Sequence, residues 1–125
     1  MIYGIGIDMV EISRIQNALE RWGDRFLQRI FTQAEIEFCH RKVHAASRFA
    51  LRFAAKEAFS KALGSGFRDG LSFRHVEVTR SPDGPPRLTL HSKAEALCQR
   101  RGIKNSYLSL ADEGGYAVAV VVLEA

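Results

Sequence analysis

Residues 48 to 64, Arg-Phe-Ala-Leu-Arg-Phe-Ala-Ala-Lys-Glu-Ala-Phe-Ser-Lys-Ala-Leu-Gly, constrain this chain more than any other stretch. They combine strong helix formers with no internal glycine or proline, and Gly64 stops them, so they read as one helix. At about 100° per residue, Glu57 and Lys61 fall side by side, with Ala50, Phe53 and Ala54 around them. A solvated face would surround a glutamate with polar side chains. Arg48, Arg52, Lys56 and Ser60 form a second stripe among Phe49, Phe59 and Leu63. Apolar residues occur nearly all round, which makes the helix central and sets its charges against other protein or a ligand. Glu57 and Lys61 then have two readings. They form an ordinary i,i+4 ion pair worth about 0.3–0.5 kcal/mol, or they belong to a functional site.

The first ten residues supply a partner. Met1 to Val10 alternates as a short strand, with Tyr3, Ile5 and Ile7 to one side and Gly4, Gly6 and Asp8 to the other. Glycines on one strand face admit another backbone at close range. Asp8 ends that bare face, either as a helix cap or as a carboxylate at the mouth of a cleft. If the central helix packs on the bare face, Asp8 and Glu57 converge. Two hard carboxylate ligands, completed by water and a ligand's phosphate, suit Mg²⁺. Lys61 would add a positive charge beside that phosphate, and Arg48 and Arg52 are candidates for further phosphates.

Around these elements, Glu11 to Trp22 reads as an amphipathic helix with Ile12, Ile15, Leu19 and Trp22 as its apolar stripe, closed by Gly23. Asp24 is expected to cap a short second helix carrying Phe26, Leu27 and Ile30. Arg14, Arg21, Arg25 and Arg29 recur on the exposed side. They are a solvated face, or guanidinium forks for carboxylates or phosphates. Thr32 to Glu35 is a capping box opening a helix to about Lys42. His40 and His44 are four apart but lack a third ligand, so no zinc site is expected. After Gly64, a loop through Asp69 and Gly70 leads to a strand from Leu71 to Thr79. Ser81 to Pro86 is a turn, and Arg87 to Leu90 the returning strand. Ser92 to Glu95 reads as a second capping box, starting a helix that Gly102 closes. Ser106 to Ala111 and Tyr116 to Leu123 form a last hairpin, whose continuously apolar Val118 to Leu123 marks a central strand. The fold class is α+β, a mainly antiparallel sheet with helices packed on one side.

With 125 residues the chain reads as one domain, 1–125, able to bury a real core. Its formal net charge of +4 favours an acidic or phosphorylated partner. Cys39 and Cys98 lie outside any metal or redox spacing and read as reduced thiols of a cytoplasmic protein. No secretory leader or membrane-length apolar run is present, so no membrane insertion is expected. An alternative is a basic nucleic-acid-binding module without catalysis. Against nucleic acid, no strand carries paired stacking aromatics, and no helix-turn-helix or zinc spacing occurs.

Two motifs go further: Gly4-Ile-Gly-Ile-Asp8-Met-Val-Glu11-Ile12, and Arg52-Phe-Ala-Ala-Lys56-Glu57-Ala-Phe-Ser-Lys61-Ala-Leu-Gly64. With Gly70-Leu-Ser-Phe73 and Tyr116-Ala-Val-Ala119 in the same order, essentially the whole chain resembles the holo-[acyl-carrier-protein] synthases, the small bacterial 4′-phosphopantetheinyl transferases. The resemblance implies transfer of 4′-phosphopantetheine from coenzyme A to a serine of apo-acyl carrier protein, releasing adenosine 3′,5′-bisphosphate, in fatty acid biosynthesis. It implies Mg²⁺ on Asp8 and Glu57, and Lys61 beside the phosphates. Asp8, Glu57 and Lys61 are then the catalytic set, and Arg48, Arg52, Lys61 and Gly64 the candidate coenzyme A contacts. It also implies a homotrimer with sites between subunits, and docking of the acidic carrier on Arg14, Arg21 and Arg25. One position departs from the pattern. Many members carry a histidine in the turn before the last strand, near the nucleotide's phosphates, where this chain has Ala111-Asp112-Glu113. That turn is not assigned to coenzyme A.

Overall fold

The computed structural model describes residues 1–68 and 70–125; Asp69, in the expected loop after the central helix, lies outside the described residues. The central helix is α4 (Ala45–Leu63), starting three residues before Arg48. Gly64 caps it in the left-handed conformation, φ 86°, and donates its N–H to the carbonyls of Ser60 and Lys61. Its faces are buried almost all round: Phe49, Ala50, Ala54, Ala55, Ala58 and Phe59 have no exposed surface.

Helix α4 lies across a three-stranded antiparallel sheet ordered β1-β5-β4, built from β1 (Ile2–Glu11), β4 (Asn105–Glu113) and β5 (Tyr116–Glu124). Strand β5 is central, as its apolar run predicts. Ala117, Ala119, Val121 and Leu123 are buried, while the alternate Val118, Val120 and Val122 are half-buried on the other face. The hairpin joining β4 to β5 turns at Gly114 and Gly115, both with positive φ. Strand β1 alternates as expected, and its buried side is the glycine side. Ile5, Ile7 and Met9 on the opposite face are 61%, 59% and 62% exposed.

The remaining elements flank this core. Helix α1 (Ile12–Trp22) buries Ile15, but Trp22, expected in its apolar stripe, is 50% exposed. Helix α2 (Asp24–Ile30) takes Gly23 as its N-cap, so Asp24 is the first helical residue and does not cap. In α3 (Gln33–His40) the Thr32–Glu35 capping box forms in both directions, and the helix ends two residues short of Lys42. The strand expected from Leu71 begins only at β2 (Val76–Arg80), because Phe73–His75 closes a 3₁₀ turn capped by Ser72. It pairs with β3 (Pro86–Leu90) as a separate two-stranded sheet. The second capping box does not form. The His91 N–H bonds the His75 carbonyl at 2.8 Å and pins the chain there, making His91 the N-cap and Ser92 the first residue of α5 (Ser92–Arg100). No helix among the described residues is long and apolar enough to cross a membrane.

Candidate active site

The site follows from the glycine face of β1. A Cβ on Gly4 would stand 2.0 Å from the Ala62 carbonyl oxygen, and one on Gly6 would stand 1.9 Å from that of Ala58. Only glycine allows such contact between strand and helix backbones. Asp8 is the next residue on that face, and its side chain reaches the flank of α4. It caps no helix, since α1 starts four residues later behind Glu11.

Lys61 Nζ donates to Asp8 Oδ1 at 2.9 Å and to the Ile7 carbonyl at 3.1 Å. The ion pair of Lys61 is therefore with β1, and the simple i,i+4 bridge to Glu57 is not what the fold builds. Asp8 is largely buried and Lys61 half-exposed, with side chains 16% and 53% accessible. Glu57 is half-buried beside them. Burial foremost, and then the Asp8 carboxylate, push its pKa above the usual carboxylate value, while Lys61 opposes them. A carboxylate whose charge is disfavoured by burial and by a neighbouring carboxylate is what a cation relieves. No group of three or more metal-ligating side chains occurs among the described residues. Asp8 and Glu57 would supply two hard oxygen ligands to a cation bound beside them, with its remaining positions left to other groups. That suits Mg²⁺, which keeps water and takes substrate phosphate oxygens. Gly64 ends the helix one turn beyond, with open space where a Cβ would stand.

Arg48 and Arg52 sit elsewhere. They occupy another face of α4, toward α3 and the β2–β3 hairpin. Arg52 is 5% exposed, with its guanidinium 4.4 Å over the Phe38 ring and Nη1 donating to the Arg48 carbonyl at 3.4 Å. Burial lowers its pKa. The Nε atoms of both arginines are buried without a hydrogen-bond partner among the described residues. Arg48 lines a cleft of about 570 Å³ with Phe38, Arg41, Lys42 and Arg80. Within one chain this basic cleft does not join Asp8, Glu57 and Lys61.

Arg14, Arg21 and Arg25 are exposed on α1 and α2, as is Arg29. Arg21 stacks 5.0 Å over the Trp22 ring, and Trp22, Arg25, Phe26 and Arg29 line a small slot. The acidic turn at Asp112 and Glu113 borders a separate open cavity with Glu11, His44 and Ser47. An acidic rim is a poor anion site. Sequence reasoning missed one buried pair, Lys56 with Glu35, whose atoms meet at 2.8 Å with no exposed side-chain surface. The apolar residues interleaved with the Lys56 stripe hinted at its burial; nothing local named its partner.

The model of the 4′-phosphopantetheinyl transferase superfamily matches residues 4–121. The chain is 50% identical over 124 residues to a holo-[acyl-carrier-protein] synthase of Geobacter sp. (strain M21), covering 99% of both chains. Its fold matches the crystal structure of that synthase from Neisseria meningitidis with a TM-score of 0.93 at 36% identity, covering 100% of each chain. The Helicobacter pylori synthase in complex with coenzyme A matches with a TM-score of 0.84 at 38% identity, over 96% of this chain and 99% of that one. Agreement in motif, full-length sequence and fold makes this chain a member of the 4′-phosphopantetheinyl transferase superfamily.

Proposed function

We propose that residues 1–125 act as a single Mg²⁺-dependent holo-[acyl-carrier-protein] synthase domain. The observation that carries this reading is the convergence of Asp8, Glu57 and Lys61 where β1 crosses α4. The enzyme transfers 4′-phosphopantetheine from coenzyme A to a serine of apo-acyl carrier protein. The serine oxygen attacks the pantetheine-bearing phosphorus, the pyrophosphate P–O bond breaks, and adenosine 3′,5′-bisphosphate leaves with the bridging oxygen.

Asp8 and Glu57 would hold Mg²⁺, which supplies positive charge to the pyrophosphate oxygens as negative charge develops on them. Lys61, half-exposed at the rim, would place its ammonium beside the departing phosphate. Asp8 is the candidate acceptor for the serine proton. Gly64 leaves room for the donor beside Lys61. The basic cleft of Arg48, with Arg52 behind it, is a second candidate surface for coenzyme A phosphates.

That cleft is separate from the carboxylates within one chain, which favours a homotrimer with sites between subunits. The exposed apolar face of β1, Ile5, Ile7 and Met9, supports the same assembly. Arg14, Arg21 and Arg25 present planar cations to the acidic carrier. The free, buried thiols of Cys39 and Cys98 favour a cytoplasmic setting.

Purified protein with coenzyme A and Mg²⁺ should add one phosphopantetheine mass to apo-acyl carrier protein by mass spectrometry. No mass gain on a competent carrier would sink the proposal, and salt-sensitive RNA binding without coenzyme A affinity would favour the nucleic-acid alternative.

A further inference from the structure

Lys56 precedes Glu57 in the chain but faces a different part of the molecule. Its ammonium donates to Glu35 Oε1 at 2.8 Å, to the Phe73 carbonyl at 3.1 Å, and to the Val76 carbonyl. Three acceptors for three N–H donors is the pattern of a charged lysine. Burial pushes its pKa down, and the Glu35 carboxylate opposes that shift. Glu35 also accepts from backbone, at Oε1 from the Thr32 N–H and at Oε2 from the Val78 N–H, each at 2.9 Å. One carboxylate thus closes the α3 capping box, anchors β2 and holds Lys56.

A buried ion pair is weak evidence for stability, because well-packed apolar replacements are often neutral or better. What it does fix is geometry. Lys56 ties α4 to α3, the 3₁₀ turn and β2 on one side. Gly4 and Gly6 seat the Ala58 and Ala62 backbone against β1 on another. Held at both places, α4 is hindered from turning about its own axis. The Glu57 carboxylate stands roughly 6 Å from that axis, so a turn of about 10° displaces it by roughly 1 Å. Asp8 belongs to β1 and would not follow. A misplacement of that size lowers catalysis by about 10²-fold.

We propose that the buried Lys56–Glu35 pair is a positioning device that sets the rotation of α4 and so keeps the Glu57 carboxylate in register with Asp8. This rests on reading Asp8 and Glu57 as the metal-holding pair. Neither Lys56 nor Glu35 touches substrate; both act through Glu57.

The test uses Mn²⁺ as a paramagnetic probe, titrated by electron paramagnetic resonance into the full chain, alongside kcat, KM and Tm. Glu35→Gln/Lys56→Met removes both charges at nearly constant volume. Glu35→Asp keeps both charges and shortens the reach by one methylene. Each variant should fold, with Mn²⁺ affinity and kcat lowered by about 10- to 100-fold for the double variant and less for Glu35→Asp. The KM for the carrier should stay within about twofold, since the docking arginines lie on other helices. A purely structural role would lower Tm without moving the metal affinity of the folded protein. Folded variants that bind Mn²⁺ and turn over like the parent would overturn the proposal. So would failure of both to fold, which would make the pair a requirement of the fold. Glu57→Gln separates the two readings. If it keeps parental Mn²⁺ binding, the metal assignment itself is wrong. If it loses Mn²⁺ while the pair variants keep it, only the positioning role fails.

Discussion

A Cβ on Gly6 would lie 1.9 Å from the carbonyl oxygen of Ala58, so β1 and α4 meet backbone to backbone. This contact sets how near Asp8 can come to the flank of α4 that carries Glu57 and Lys61, and the site depends on it.

Gly6→Ala and Gly4→Ala should therefore damage both fold and site. The obstructing atoms are backbone atoms of Ala58 and Ala62, which cannot swing aside like a flexible side chain. We expect a loss of about 3 kcal/mol or more in urea denaturation, together with loss of turnover. Parental stability would show that α4 can slide on the sheet.

Glu57→Gln should abolish phosphopantetheine transfer without unfolding the protein. Burial and the Asp8 carboxylate disfavour the charge of Glu57 in the metal-free state. A neutral amide removes that penalty, so the metal-free variant should melt no lower than the parent. Full activity by carrier mass spectrometry would contradict the metal assignment.

The pH dependence has a definite sign. Glu57 has a folded pKa raised above its ordinary value of 4.5. The native state therefore binds this proton more tightly than the unfolded chain. The Glu57 component of metal-free stability grows as pH falls through the folded pKa and levels off below 4.5. Subtracting the Glu57→Gln curve from the parent's isolates it. Metal binding runs the other way: half-saturating Mg²⁺ should rise as pH falls through the same window, because the cation must displace the proton. Mg²⁺ dependence that stays flat there would exclude Glu57 as a ligand.

Arg14→Glu or Arg21→Glu should raise the KM for the carrier by about tenfold, while the KM for coenzyme A changes by less than about twofold. Both residues are exposed on α1. Equal effects on the two substrates would argue against a docking face.

Ile7→Asp should break the assembly. Ile7 is 59% exposed in the single chain, on the apolar face of β1. Covering an isoleucine contributes about 1.5–3 kcal/mol, and a carboxylate in its place opposes burial. Size-exclusion chromatography with light scattering should give a trimer for the parent and a single chain for the variant. A monomeric parent would refute the trimer.

Much of this architecture could be read from short-range rules. The ends of α1 and α4 at Gly23 and Gly64, the Thr32–Glu35 capping box, the bare face of β1 and the central β5 all follow from chemistry within a few residues. The two motifs also named Asp8, Glu57 and Lys61. Pairing across the chain was a different matter. The i,i+4 rule offered Glu57 to Lys61 as it would in an isolated helix in water. In the folded protein Lys61 instead meets Asp8, 53 residues away, because the strand's glycines bring that carboxylate to the helix. Lys56 found Glu35 across 21 residues for a similar reason: packing removes water and leaves a buried ammonium only the acceptors that neighbouring elements supply. Trp22 left its stripe for the surface, and a backbone bond to His75 displaced the cap expected at Ser92. Local chemistry determined the elements and nominated the reactive groups. Which charge faces which was decided by tertiary packing, since only the assembled fold sets the distances and the exclusion of water on which those energies depend.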